Sequence, residues 1–196
     1  MHQRKTFEIQ NGIPIDKHGF VDVHLLLTKE KFKYVKLKDI QRVVKNNSKQ
    51  RFEMKDAFIR ARQGHSIDTI KDAGFTQITS IEGTDCLAIH GTYMELLHTL
   101  LASPGISRMA RQHIHMTTPE IVFNRKRGTQ SGVRYDTDLF IWVNLQKVLA
   151  LGIPLMRSSN GVILCPGDAD GFIPWSCIEK CTNRQQKDIL IKENKI

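Results

Sequence analysis

The chain has 196 residues, a length that suits one large domain or two small ones sharing an interface. Hydrophobic residues make up 40% and charged residues 25%, the balance of an ordinary globular protein, and no apolar run nears the ~20 residues of a membrane span. Twenty-nine Lys and Arg against 20 Asp and Glu give a formal charge of +9, which favours a polyanionic partner, nucleic acid before an anionic membrane.

The opening Met1-His2-Gln3-Arg4-Lys5 is polar and lacks the apolar core of a secretion signal, so an intracellular location, cytoplasmic or nuclear, is expected. Asp16-Lys17-His18-Gly19 predicts a turn, followed by a mixed apolar run over residues 20–27. Leu37, Ile40 and Val44 keep helical spacing within residues 35–44, and Asn46-Asn47-Ser48 ends that helix. Residues 51–54 and 58–61 predict two short strands joined at Lys55-Asp56-Ala57. Helices followed by a strand pair in a basic chain suit a winged-helix-like nucleic-acid module.

The second half has a different texture. Strands are expected at residues 77–81, 86–89, 114–116, 139–145 and 161–165. A helix over 93–101 would carry Leu96, Leu97, Leu100 and Leu101 on one side and stop at Pro104-Gly105. A shorter helix over 146–151 ends at Gly152. Residues 117–132 are polar, contain Arg125, Lys126 and Arg127, and predict a loop; the last ten residues are expected to fray. The domain boundary falls near residues 67–76, giving domains 1–70 and 71–196.

Cys86, Cys165, Cys177 and Cys181 are expected as buried free thiols, because only the last two are close and no second pair completes a zinc set. Four clusters hold the candidate chemistry: Lys49-Gln50-Arg51-Phe52, Arg60 to Ser66, His90-Gly91-Thr92, and Gln112-His113-Ile114-His115-Met116. A glycine between a histidine and a small hydroxyl residue lets a ligand approach the backbone, so His90-Gly91-Thr92 can hold a carboxamide or a ribose. His113 and His115 have strand spacing and face one way. With His65 and His90 they make either a set of ligand-binding histidines or, less in keeping with the motif chemistry, a metal site. Satisfied histidines at a domain interface are the structural alternative. Arg51, Arg60, Arg62 and Arg134 are the nearby cations; each grips a phosphate through parallel hydrogen bonds or is a solvated surface residue.

The order Lys-Gln-Arg-Phe, Arg-Ala-x-Gln-Gly-His-Ser, His-Gly-Thr, Arg-Gln-His-Ile-His, Ser-Gly-Val-Arg and Ser-x-Asn-Gly-Val resembles the RNA 2′-phosphotransferase (KptA-like) family. Gly12-Ile13-Pro14-Ile15-Asp16 and Gly19-Phe20-Val21 are similar to that family's N-terminal lobe, and the likeness runs from about Gly12 to Trp175. The resemblance implies an α+β protein: a winged-helix-like RNA-binding lobe, 1–70, and an NAD-binding lobe of ADP-ribosyltransferase type, 71–196.

The resemblance further implies removal of a 2′-phosphate from RNA, such as a spliced tRNA, by transfer to NAD. The products would be 2′-hydroxyl RNA, nicotinamide and ADP-ribose cyclic phosphate. It assigns Lys49, Arg51 and Arg134 to the phosphate, with His2 as the candidate for the family's N-terminal Arg-His pair. His65, Ser66, His90, Gly91, Thr92, His113 and His115 would form the NAD pocket. No metal is implied, and a monomer is expected. Met1 stands where the family has the Arg of Leu-Arg-His, so either the start lies upstream or this is a shortened version. Two other readings stay open: an ADP-ribosyltransferase acting on a protein or a nucleic-acid end, and a non-enzymatic RNA-binding module with a decayed site.

Overall fold

A computed structural model describes residues 12–64, 70, 74–81, 86–123, 133–134 and 136–189. The chain divides into two compact units, Met1–Gly74 and Phe75–Ile196.

In the first unit the turn at Asp16 forms as its residues dictate. The Asp16 carboxylate accepts the N–H groups of His18 at 2.9 Å and Phe20 at 2.8 Å, replacing backbone partners the turn cannot offer. The apolar run that follows is not one element. It splits into β1 (Val21–Asp22) and α1 (Val23–Leu27). Asp22 causes the split, because its carboxylate caps the helix by accepting from His24 N at 2.7 Å and Leu25 N at 3.4 Å. Helix α2 (Leu37–Asn46) buries Ile40, and Asp39 accepts the Lys36 N–H at 3.0 Å to close its first turn.

Strands β2 (Phe52–Lys55) and β3 (Phe58–Ala61) form the expected hairpin, and β1 adds to the far side of β3. Glu53 stands directly opposite Arg60. Arg60 donates from Nε and Nη2 to Glu53 Oε2 at 3.0 and 2.8 Å and from Nη1 to the His18 carbonyl at 3.1 Å. Its guanidinium lies 4.5 Å from the Phe20 ring centre. Arg60 is therefore tied into the hairpin and is not a solvated cation.

The second unit is built of antiparallel sheets. Strands β4 (Thr76–Ile78), β9 (Leu155–Arg157), β10 (Ile163–Cys165) and β7 (Ile114–Met116) form one sheet in the order β4-β9-β10-β7. Strands β5 (Leu87–Thr92), β8 (Leu139–Asn144) and β12 (Ile178–Asn183) form another, with β8 central. The short pair β6 (Gly105–Ser107) and β11 (Phe172–Pro174) is the third. The two larger sheets meet where Ile89 and Thr117 exchange backbone bonds, N to O, at 2.7 and 3.1 Å.

Strand β8 is apolar on both faces because both are covered. Leu139, Ile141 and Val143 enter the main core with Ile106, Ile114, Leu155 and Ile163. Phe140 and Trp142 join Ile89 on the other face, where Val122, Phe123 and Val133 pack. Phe123 stacks on Trp142 with ring centres 5.7 Å apart. It belongs to helix α4 (Pro119–Phe123), which begins inside the segment read from sequence as a loop. Proline at the first helical position needs no N–H partner, and three apolar residues follow it.

Helix α3 (Leu97–Ala102) is preceded by a 3-10 turn (Met94–Leu96), and Met94, Leu97, Leu100 and Leu101 face the core while Leu96 is exposed. Helix α5 (Leu145–Ala150) starts one residue earlier than expected, since Asn144 caps it by accepting Lys147 N at 3.0 Å. Cys165, Cys177 and Cys181 are buried and unpaired, and Cys86 is half-buried and unpaired. Among the described residues no helix is long and apolar enough to cross a membrane.

Candidate active site

His90, Gly91 and Thr92 are the last three residues of β5, opposite Ile141, Phe140 and Leu139 of β8. The sequence reading placed them beyond the strand; pairing with β8 carries the strand through them. His115 is the middle residue of β7, opposite Leu164. His113 lies just before β7, its ring edge-on to Phe75 with centres 5.6 Å apart.

The Ile89–Thr117 bridge sets β5 beside β7 and brings the two histidine strands together. His90 Nδ1 lies 3.0 Å from the backbone carbonyl of His115. A carbonyl only accepts, so Nδ1 carries the proton, and in the neutral ring Nε2 is left as an acceptor. Burial lowers the His90 pKa, outweighing the opposite pull of that hydrogen bond. Burial, then the charges of Arg111 and His113, lowers the His115 pKa to about 3. Both rings are therefore neutral near pH 7. His115 Nδ1, Thr117 Oγ1 and Thr137 Oγ1 are buried with no hydrogen-bond partner in the structure. Such atoms are costly to leave unsatisfied.

Gly91 has a different reason from the one its neighbours suggested. A Cβ there would lie 2.6 Å from Val133 Cγ1 and 2.9 Å from Thr137 Cγ2. The position a side chain would take here is filled by Val133 and Thr137. The missing side chain lets Val133 and Thr137 rest on β5. The same segment carries Arg134, whose Nη1 donates to Tyr93 Oη at 3.1 Å, and Tyr93 Oη donates to Asp136 Oδ2 at 3.0 Å. The Tyr93 bond, more than the Asp136 charge, raises the Arg134 pKa. Sequence reasoning missed Tyr93, Asp136 and Arg111. The available signals were a tyrosine adjoining His90-Gly91-Thr92, an acid two residues after Arg134, and the place of Arg111 at the head of Arg-Gln-His-Ile-His.

In the first unit, Lys49 is half-buried in the turn after α2, and Arg51 is exposed just ahead of β2. Arg51 is held at its backbone, its N–H donating to Asn47 Oδ1 at 3.1 Å and its carbonyl accepting from Arg62 N at 2.9 Å. That fixes the start of the side chain and leaves its charge at the surface. Elsewhere in this unit Tyr34 is 86% exposed, with Lys33 Nζ 5.2 Å from its ring centre. His2, His65 and Ser66 lie outside the described residues.

The Ser-x-Asn-Gly-Val motif is a buried turn between β9 and β10. Ser158 Oγ donates to Asn160 Oδ1 at 2.7 Å and accepts Val162 N at 3.1 Å. Among the described residues no group of three or more His, Cys, Asp or Glu is placed to hold a metal ion.

Residues 2–167 match the family model described as RNA 2'-phosphotransferase, Tpt1 / KptA family. The chain belongs to this family. It is 35% identical over 169 residues to tRNA 2'-phosphotransferase 1 of Bos taurus, covering 83% of this chain and 65% of that one. With tRNA 2'-phosphotransferase 1 of Danio rerio the identity is 36% over 169 residues, 83% and 73% of the two chains. With tRNA 2'-phosphotransferase of Saccharomyces cerevisiae it is 31% over 182 residues, 88% and 76%. The chain spans slightly less than two thirds of the bovine and mouse relatives, 65% and 66% of their lengths.

Proposed function

We propose that this protein removes a 2′-phosphate from RNA, a tRNA in the first instance, by transferring it to NAD as a consumed second substrate. The observation that carries the reading is the meeting of His90 and His115 at the junction of two sheets, within a chain of this family. On this reading the first unit is a winged-helix-like RNA-binding lobe and the second an NAD-binding lobe of ADP-ribosyltransferase type. The protein works as a monomer in the cytoplasm or nucleus.

The reaction has two steps. A 2′-phosphate oxygen bonds to the ribose carbon that carries nicotinamide; the carbon–nitrogen bond breaks, and its electron pair neutralises the departing ring. A hydroxyl of that ribose then bonds to phosphorus. The RNA 2′-oxygen leaves and takes up the proton that the hydroxyl gives up. The first step starts from an anionic nucleophile and a good leaving group, so it depends mainly on placement.

Neutral His90 and His115, with Thr92, His113, His65 and Ser66, supply that placement in this reading. His90 Nε2 accepts from a ribose hydroxyl or a carboxamide N–H. The buried polar atoms without a partner at His115, Thr117 and Thr137 suit contact with a polar ligand. The second step passes charge through the phosphate, where Lys49, Arg51 and Arg134 neutralise its oxygens. His2 completes the phosphate set. Exposed Tyr34, with Lys33 over its ring, gives a surface for an unpaired RNA base and its phosphate.

The deciding experiment is incubation with NAD and a short RNA bearing one internal 2′-phosphate, with identification of all products. Nicotinamide, 2′-hydroxyl RNA and ADP-ribose cyclic phosphate are expected. ADP-ribose retained on the RNA as the final product would make the protein a one-step ADP-ribosyltransferase. No nicotinamide release would make it a binding protein.

A further inference from the structure

We infer that Tyr93 is a positioning residue for the phosphate-transfer step, holding Arg134 through a hydrogen-bonded chain that ends on Asp136. The inference rests on the reading that Arg134 meets the RNA phosphate. It adds a residue outside every motif that carries the family resemblance.

Arg134 is exposed and lies outside any helix or strand. An arginine in that setting has many rotamers, and only one or a few present its fork correctly. The structure restrains it at Nη1, which donates to Tyr93 Oη at 3.1 Å, and places its Cζ 5.9 Å from the centre of the Tyr93 ring. A phenol has one proton, and Tyr93 gives it to Asp136 at 3.0 Å. Its lone pairs are then turned to the guanidinium, and the nearby carboxylate polarises the hydroxyl as an acceptor.

Placing the phenol between the two charges has a chemical advantage. Were Asp136 to grip Arg134 directly, an incoming phosphate would compete with a carboxylate for the same fork. Here the acid holds the tyrosine, the tyrosine holds one guanidinium nitrogen, and the remaining donors stay available to phosphate oxygens.

Tyr93 is itself fixed by the segment it restrains. Asp138 Oδ1 accepts the Met94 N–H at 2.8 Å, and Asp138 N donates to the Thr92 carbonyl at 3.3 Å. Gly91 receives Val133 and Thr137 on the same side. Residues 91–94 are thus clamped to Val133, Arg134 and residues 136–138 at several points, with the Tyr93–Arg134 bond among them.

The test follows the fate of 2′-phosphorylated RNA and NAD in single-turnover reactions of the full chain. Tyr93→Phe keeps the ring and removes the hydroxyl. It is expected to slow conversion of ADP-ribosylated RNA to 2′-hydroxyl RNA about tenfold, the loss of one hydrogen bond to a charged group. Nicotinamide release and the thermal midpoint stay close to wild type. Asp136→Asn is expected to act in the same direction and guards against a Phe variant that folds poorly. In an Arg134→Lys background, Tyr93→Phe is expected to add almost nothing, since its effect runs through the arginine. An undiminished second step in Tyr93→Phe, or equal slowing in both backgrounds, overturns the inference. A wild-type chain that releases no nicotinamide fails earlier, and that failure belongs to the proposed function, on which this inference depends.

Discussion

The Nδ1 of His90 and the carbonyl oxygen of His115 lie 3.0 Å apart, so one histidine's tautomer is set by the other's backbone. Both rings are neutral in the folded chain, and acid must charge them. The His115 pKa falls from 6.5 to about 3 on folding, so the unfolded chain binds the extra proton between those values and stability is lost as pH drops. Going from pH 8 to pH 5 is expected to cost about 2 kcal/mol from His115 alone, at ~1.4 kcal/mol per pH unit below 6.5. Urea denaturation across this range measures it. His115→Gln should flatten the dependence in part, with His90 keeping the remainder. A denaturation midpoint that ignores pH in this window would show that the histidines are not held neutral.

Gly91→Ala places a methyl group where Val133 Cγ1 and Thr137 Cγ2 already stand, at 2.6 and 2.9 Å. Overpacking of this kind is expected to cost about 1–3 kcal/mol and to displace the segment carrying Arg134. Adding Val133→Ala removes two of the three nearest clashing atoms and should recover much of the stability. If the double variant is no more stable than Gly91→Ala, the crowding lies elsewhere.

What the sequence disclosed and what it hid divide along physical lines. The hairpin of β2 and β3, helix α2, and strands β7, β8 and β10 follow apolar runs or periodicity that a single window displays. Strands β6, β9, β11 and β12 were not expected. Gly-Ile-Ser, Leu-Met-Arg and Phe-Ile-Pro are too short for a period to register, and β12 reads Ile-Glu-Lys-Cys-Thr-Asn, largely polar. They are strands because a partner strand supplies the hydrogen bonds. His90, His115 and Arg134 were legible through motif order. Tyr93 was not, since its role depends on Asp136, which lies 43 positions along the chain.

Arg51→Ala and Arg134→Ala are expected to separate the two steps. Nicotinamide release should survive to a large degree, while cyclic phosphate formation falls by ~10²-fold or more, as when a charged transition state loses one preorganised donor. Quantifying both products in one reaction checks this. Equal loss of both would mean that these cations act on the first step as well.

Arg60 is expected to answer to a different assay. Glu53→Ala leaves its guanidinium, whose side chain is 10% exposed, with only the His18 carbonyl and the Phe20 ring among the contacts described above. A loss of about 1–3 kcal/mol is expected for this partly exposed pair, below the range for a fully buried one. Arg51→Ala, at an exposed position, should change stability by no more than about 0.5 kcal/mol. Equal urea midpoints for the two variants would erase the distinction drawn between these arginines.

The family match ends at residue 167, yet the fold does not. Strand β12 lies beyond that point and shields one edge of β8, its Ile178, Cys181 and Thr182 are buried, and the Thr182 hydroxyl receives the Trp142 indole N–H at 3.0 Å. A version trimmed to the recognisable motifs would keep its histidines and Arg134 but bare the backbone edge of its central strand. Such an edge recruits other chains, so the minimal motif-bearing fragment should precipitate rather than work.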